Sequence, residues 1–194
     1  HFKNSLPGYP SKDKPWLKYY SEEAINAPLP EMTLYEYLYR NNKNYPEEYA
    51  LNYFGKKITY GDLFQKIDIV AKAFQGIGVK AGEAVTIVTV SCVTSVLCFY
   101  ALNRIGAISN YVNVLSTEEE LAGYFSDTES KTVVTLDLFA EKVLVASEKS
   151  AVKQVIVFSL TEGMLTSVAL GYHLKTGMGK NGFKKNKTTP GFRS

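Results

Sequence analysis

Apolar positions along this chain switch repeatedly between two rhythms. Residues 84–90, 109–114, 131–136 and Gln154–Phe158 form short β-branched runs that are nearly continuous in apolar side chains, the pattern of strands buried on both faces. Between them the pattern predicts helices at 92–104, 117–126 and 138–149. Strand and helix in strict alternation predict an α/β fold, a parallel sheet flanked by helices. The helix at 92–102 is apolar nearly all round, so it is expected inside the sheet assembly or against a further domain.

Ahead of this alternation the elements are smaller. Thr33 and Glu36 have the spacing of a capping box, Leu34, Tyr37 and Leu38 give an apolar stripe, and Pro46 closes that helix. Residues 49–54 and 57–60 flank Gly55-Lys56 and predict a tight hairpin, since Gly accepts the positive φ such turns need. Thr59 is placed to cap a helix with Asp62 three residues on, and Leu63, Ile67, Val70, Ala71 and Phe74 line one side until Gly76 and Gly78 stop it. Ser116 and Glu119 offer another capping box. The expected organisation is an arm at 1–31, rich in Pro, Lys and Tyr, an α/β body at 32–171 and a basic flexible tail at 172–194. With Gly, Asn and Thr between its charges, that tail is expected to be mobile and dispensable for folding.

Charge sharpens this division. The net charge is +3, and the tail carries Lys175, Lys180, Lys184, Lys185, Lys187 and Arg193 without an acid, so subtracting its +6 leaves −3 for the body. Six charges without helical period read as a solvated end and not as a nucleic-acid surface, so no nucleic acid is expected as partner. The twenty uncharged residues 84–103 raise the question of a membrane span, but Thr86, Thr89, Ser91, Thr94 and Ser95 interrupt them, so a buried strand followed by a buried helix is the better reading and no integral membrane segment is expected. Cys92 and Cys98 on one helix stand about 9 Å apart along its axis, too far for a disulfide. Two apolar-flanked thiols suit a reducing compartment, and the cytoplasm is expected. No signal peptide is visible, and a start at His1 suggests a processed chain.

Candidate chemistry is sparse. Gly76-Ile77-Gly78-Val79-Lys80-Ala81-Gly82 looks like a dinucleotide loop, but it follows a helix and precedes a strand, the reverse of what aims amides at a pyrophosphate. Gly177-Met178-Gly179-Lys180 fails as a Walker loop because Leu174 and Asn181 stand where Gly and Ser or Thr are required. His1 and His173, the only histidines, lie in the ends, so no Ser-His-Asp set can be assembled. Glu22-Glu23, Glu47-Glu48 and Glu118-Glu119-Glu120 fit arm, loop and helix start, where carboxylates meet water or a helix dipole. Tyr35, Tyr37, Tyr39, Tyr45 and Tyr49 could line a flat pocket but at helical spacing are expected to pack. The residues thus name no catalytic, cofactor-binding or metal site.

Four short patterns in order carry more. Ile58-Thr59-Tyr60-Gly61-Asp62-Leu63, then Gly78-Val79-Lys80-Ala81-Gly82-Glu83-Ala84-Val85, then Ala101-Leu102-Asn103-Arg104-Ile105-Gly106-Ala107-Ile108, then Val112-Asn113-Val114-Leu115-Ser116-Thr117-Glu118-Glu119-Glu120-Leu121 follow one another. This series resembles the N-terminal part of the adenylate-forming, AMP-binding acyl- and aryl-CoA ligases, with the resemblance running from about Tyr35 to Leu160. It implies the N-terminal subdomain of the acyl-CoA synthetase-like fold, with a small hairpin and an arm. It also implies a parent enzyme that joins a carboxylate to ATP as an acyl-adenylate and passes the acyl group to coenzyme A, with Mg²⁺ and a Lys stabilising phosphate charge. The family's Ser/Thr/Gly-rich loop ending Pro-Lys-Gly does not occur in this chain, and its other chemical motifs follow the matched region. Where the family often has Asn-Ser-Pro-Glu, this chain has Ser91-Cys92-Val93-Thr94. The expectation is therefore an N-terminal fragment, inactive alone and binding no ATP, Mg²⁺ or coenzyme A, with an exposed apolar surface that could recruit a second copy. The alternative is a stand-alone α/β interaction or ligand-binding module that never adenylates.

Overall fold

The computed structural model describes residues 8–161, 164, 165, 167 and 168, and the chain divides into two units, His1–Met32 and Thr33–Ser194. The expected tail at 172–194, with both loop-like glycines of 177–180, lies outside the described residues, as do His1 and His173. In the first unit the Pro-rich sequence forms α1 (Pro10–Asp13), a 3-10 turn (Pro15–Tyr19) and α2 (Glu22–Asn26). Pro10 and Pro15 each open a turn, where a missing N–H costs no hydrogen bond. Ser21 caps α2 by accepting from the Ala24 amide at 3.2 Å.

The second unit runs α3 (Leu34–Asn42), β1 (Tyr49–Tyr53), β2 (Lys56–Thr59), α4 (Tyr60–Gly76), β3 (Ala84–Val88), α5 (Val93–Arg104), β4 (Ile108–Tyr111), α6 (Glu118–Asp127), β5 (Thr132–Leu136), α7 (Ala140–Glu148) and β6 (Gln154–Phe158). β1 and β2 pair antiparallel, while the other four strands form one parallel sheet in the order β4-β3-β5-β6. Alternation along each strand separates two apolar layers. Val85, Ile87 and Val134 face α4 and α5 in a cluster with Leu63, Ile67, Phe74, Cys98 and Leu102, whereas Val88 and Val133 face Leu121, Phe125 and Val143 of α6 and α7. α5 is therefore covered by the sheet on one side and by α3 and α4 on another, which is why its sequence has no polar face.

Several local details differ from the sequence expectation: β3 ends at Val88 and not at residue 90, and β4 runs Ile108–Tyr111 and not 109–114. The hairpin turn is Phe54-Gly55 and not Gly55-Lys56: both residues have positive φ, +48° and +84°, and the Gly55 amide donates to Asn52 Oδ1 at 3.2 Å, so Tyr53 pairs with Lys56. The capping box of α6 is Thr117 with Glu120, not Ser116 with Glu119, because the Ser116 amide still closes a turn onto the Asn113 carbonyl. α7 begins at Ala140, after a 3-10 turn over Asp137–Phe139.

Glycines close the helices that feed the sheet. At the end of α4 the Val79 amide donates to the Phe74 carbonyl at 3.0 Å and the Gly78 amide to Gln75, a Schellman closure with Gly78 at φ +93°. The run from Gly76 to Gly82 is thus a helix stop and a turn into β3. α5 closes the same way through Ala107 to Leu102 at 2.9 Å, with Gly106 at φ +75°. The two turns then meet. Gly82 donates to the Gly106 carbonyl at 2.8 Å and Ile108 to the Glu83 carbonyl at 2.9 Å, which aligns Ala84 with Ile108 at the start of the β3–β4 ladder.

A Cβ on Gly106 would lie 3.1 Å from the Ala81 Cβ, so Gly106→Ala combines left-handed strain with overpacking and should cost about 2 kcal/mol in urea denaturation. Gly123, inside α6 and exposed, has open space, and Gly123→Ala should stabilise by about 0.5–1 kcal/mol. Equal responses of the two variants would show that the Gly106 turn is not a constrained joint.

Candidate functional site

Strand order decides where a ligand can enter. The chain leaves β3 toward α5 on one face and leaves the adjacent β5 toward α7 on the other, so the carboxyl ends of these two strands part around a topological switch point, the crevice where open α/β sheets bind ligands. Its walls are the segments after β3, Thr89-Val90-Ser91, and after β5, Asp137-Leu138-Phe139. Thr135 Oγ1 donates to the Val88 carbonyl at 3.0 Å and ties the two strand ends together. Asp137 Oδ1 accepts from the Leu138 and Leu160 amides at 3.0 and 3.2 Å, so its carboxylate is spent holding the β5 and β6 exits. Thr89 Oγ1 is buried and has no hydrogen-bond partner among the described residues, a cost that cores rarely carry without a functional return.

A second concavity flanks the outer edge. An open cleft of about 420 Å³ lies between β4 and α6, bounded by Asn110, Asn113, Ser116, Tyr124, Asp127 and Thr128 among others. Its floor is rigid: Asn110 Nδ2 donates to Thr86 Oγ1 at 3.0 Å, Thr86 Oγ1 and Ser130 Oγ are 2.7 Å apart, and Ser130 Oγ is 2.8 Å from Thr128 Oγ1. Tyr111 donates to the Ser95 carbonyl at 2.7 Å, which joins β4 to α5, and burial pushes its phenol pKa up. Asp127 is the one charge among the lining residues, so this cleft has hydrogen-bonding groups but nothing to neutralise a phosphate. Nor do the described residues contain a group of three His, Cys, Asp or Glu that could hold a metal ion. The lining of this cleft does not fit Mg²⁺ or a triphosphate.

Of the family-like patterns, the fourth lends Val112, Asn113 and Ser116 to the β4–α6 cleft, while the residues of the third sit at joints. Asn103 Oδ1 accepts from the Tyr35 amide at 2.8 Å, near the start of α3. Arg104 donates to the Tyr35 hydroxyl at 3.3 Å and pairs with Asp68 at 2.8 Å, while Lys72 pairs with the same carboxylate at 2.7 Å and, with Arg104, holds its pKa down. These bonds lock α3, α4 and α5 into one block. Of the tyrosines considered for a pocket, Tyr35 is buried, whereas Tyr37, Tyr39, Tyr45 and Tyr49 are exposed. Glu119 reaches Lys149 at 3.1 Å and Glu120 completes the α6 cap, so the acidic run at 118–120 is structural. Sequence reasoning missed the switch point and Thr89, because both depend on strand order.

Comparison with known proteins follows the same segment. A family model described as AMP-binding enzyme matches residues 38–176. Long-chain-fatty-acid–CoA ligase of Bacillus subtilis (strain 168) is 29% identical over 150 residues, 77% of this chain and 27% of its own length. Acetyl-coenzyme A synthetase of Rhizobium meliloti (strain 1021) is 39% identical over 85 residues, 44% of this chain and 13% of its own. Among solved structures, an anthranilate CoA ligase in complex with anthranoyl-AMP superposes with a TM-score of 0.64 at 21% identity, over 69% of this chain and 27% of that one. A long-chain-fatty-acid-CoA ligase from Archaeoglobus fulgidus gives 0.63 at 23% identity, over 71% and 30%. The chain therefore spans about a quarter or less of the curated relatives it matches.

Replacing the orphaned hydroxyl by a methyl, Thr89→Val, should raise stability by about 1 kcal/mol in urea denaturation, since it removes a desolvated group that nothing pairs. A loss of stability would instead mean that the hydroxyl is bonded and structural.

Proposed function

Since the chain belongs to the family of AMP-binding enzymes, we propose that it forms the N-terminal part of an AMP-forming acyl- or aryl-CoA ligase. The observation that supports this most is coincidence of place: the four ordered patterns, the matched residues 38–176 and the parallel sheet with its two helical layers are one segment. The whole enzyme activates a fatty or aryl carboxylic acid with ATP and hands the acyl group to coenzyme A. Adenylation turns a carboxylate oxygen into a leaving group, and the charge that grows on phosphate needs Mg²⁺ and a cationic side chain. Neither concavity supplies these, so residues beyond this segment carry them, and the segment contributes the scaffold on which they close.

In this reading residues 32–171 are the α/β subdomain, 1–31 an arm, and 172–194 the connection toward the family's phosphate loop. Two buried cysteines support a cytoplasmic setting. No helix among the described residues is long and apolar enough to cross a membrane. Self-association when the remainder of the enzyme is absent belongs to this reading. Nucleic acid has no place in this function. A binding module of the same fold that never adenylates is the competing reading.

Exchange of pyrophosphate into ATP separates them. The 194-residue chain should give none with any carboxylic acid, while the same chain joined to its downstream coding sequence should give acid-dependent exchange. Exchange by the isolated chain that survives repurification overturns the assignment of chemistry to later residues, and none by the longer protein favours the binding module.

A further inference from the structure

Lys142 stands where its own helix does not favour it. It is the third residue of α7, and a cation in the first turn opposes the helix dipole. Among the described residues it has no carboxylate partner. Its half-buried ammonium instead donates to two backbone carbonyls of the β4–α6 loop, those of Val114 and of Ser116, the latter at 2.9 Å. Those carbonyls lie 28 and 26 residues earlier in the chain. The loop they belong to, residues 112–117, is held at its ends, where the Val112 amide donates to the Ile87 carbonyl at 3.2 Å and Thr117 caps α6. Val112 and Val114 pack on the layer under α6 and α7. Asn113 closes a turn on itself, its Oδ1 accepting from the Leu115 amide at 2.9 Å and its carbonyl from Ser116 at 3.1 Å. Leu115 at the tip is exposed. Val112, Asn113 and Ser116 also bound the cleft between β4 and α6.

We infer that Lys142 is a positioning residue, a charge-assisted clamp that sets the conformation of loop 112–117 and with it one wall of the β4–α6 cleft. An ammonium shared by two carbonyls is a strong and directional restraint, and an amide or an uncharged side chain at this position cannot reproduce it. The clamp explains why a lysine occupies an unfavourable turn. It requires nothing of the proposed ligase activity, since it concerns the geometry of this chain alone.

Hydrogen exchange in the full 194-residue chain tests this. In Lys142→Met, the amides of Leu115 and Ser116 should exchange at least about tenfold faster, the factor corresponding to 1.4 kcal/mol of lost restraint. Amides of the central strand, such as those of Thr86 and Ile87, should keep their protection. In Lys142→Arg, where the charge and several donors remain, the loop should regain most of its protection. Unchanged loop exchange in Lys142→Met, or an equal rise in loop and central strand, would overturn the clamp, the second result by showing that Lys142 supports the whole fold. Failure of Lys142→Arg to restore protection would likewise overturn it.

Discussion

The close approach of two glycine turns sets the rest of this structure. Gly106 can sit against Ala81 only because it lacks a Cβ and accepts positive φ, and the hydrogen bond from Gly82 to its carbonyl fixes where β3 and β4 begin. A shift of one residue there would exchange the two faces of β3, sending Val85 and Ile87 away from α5 and bringing Thr86 under it. The Asn103 and Arg104 bonds to Tyr35 and Asp68 extend the same joint to α3 and α4. This joint gives the pattern Asn103-Arg104-Ile105-Gly106-Ala107 a physical reason that involves no substrate.

Much of the frame was legible in the sequence, for local reasons. Gln154–Phe158 was expected as a strand and is one, because four consecutive apolar positions, Val155 to Phe158, flanked by polar residues have few alternatives. Thr33 and Glu36 form the expected capping box. Where local signals were degenerate, the reading slipped by one residue. Three successive glutamates let Ser116-Glu119 and Thr117-Glu120 compete, and the turn onto Asn113 chose the second. Gly55 marked the hairpin correctly, but the partner with positive φ is Phe54, a residue type that gives no sign of it.

The sites were less legible because they are properties of strand order. Nothing in the linear chain says that β5 lies beside β3 and not beside β4, yet that neighbourhood creates the crevice at Thr89 and Asp137. The cleft at the other edge joins Asn110 to Thr128 through Thr86 and Ser130, residues that read separately as unremarkable strand and loop positions. A phosphate loop, by contrast, is a local motif, and its absence from this chain is read from the sequence alone.

The central claim is that this segment is an N-terminal scaffold portion of a ligase whose phosphate chemistry comes later in the same polypeptide. Sequencing the native reading frame beyond the Ser194 codon tests it most directly. The account predicts that the frame stays open and runs into a Ser/Thr/Gly-rich loop ending Pro-Lys-Gly. An in-frame stop immediately after that codon in the native gene would contradict it and leave a binding module of the same fold.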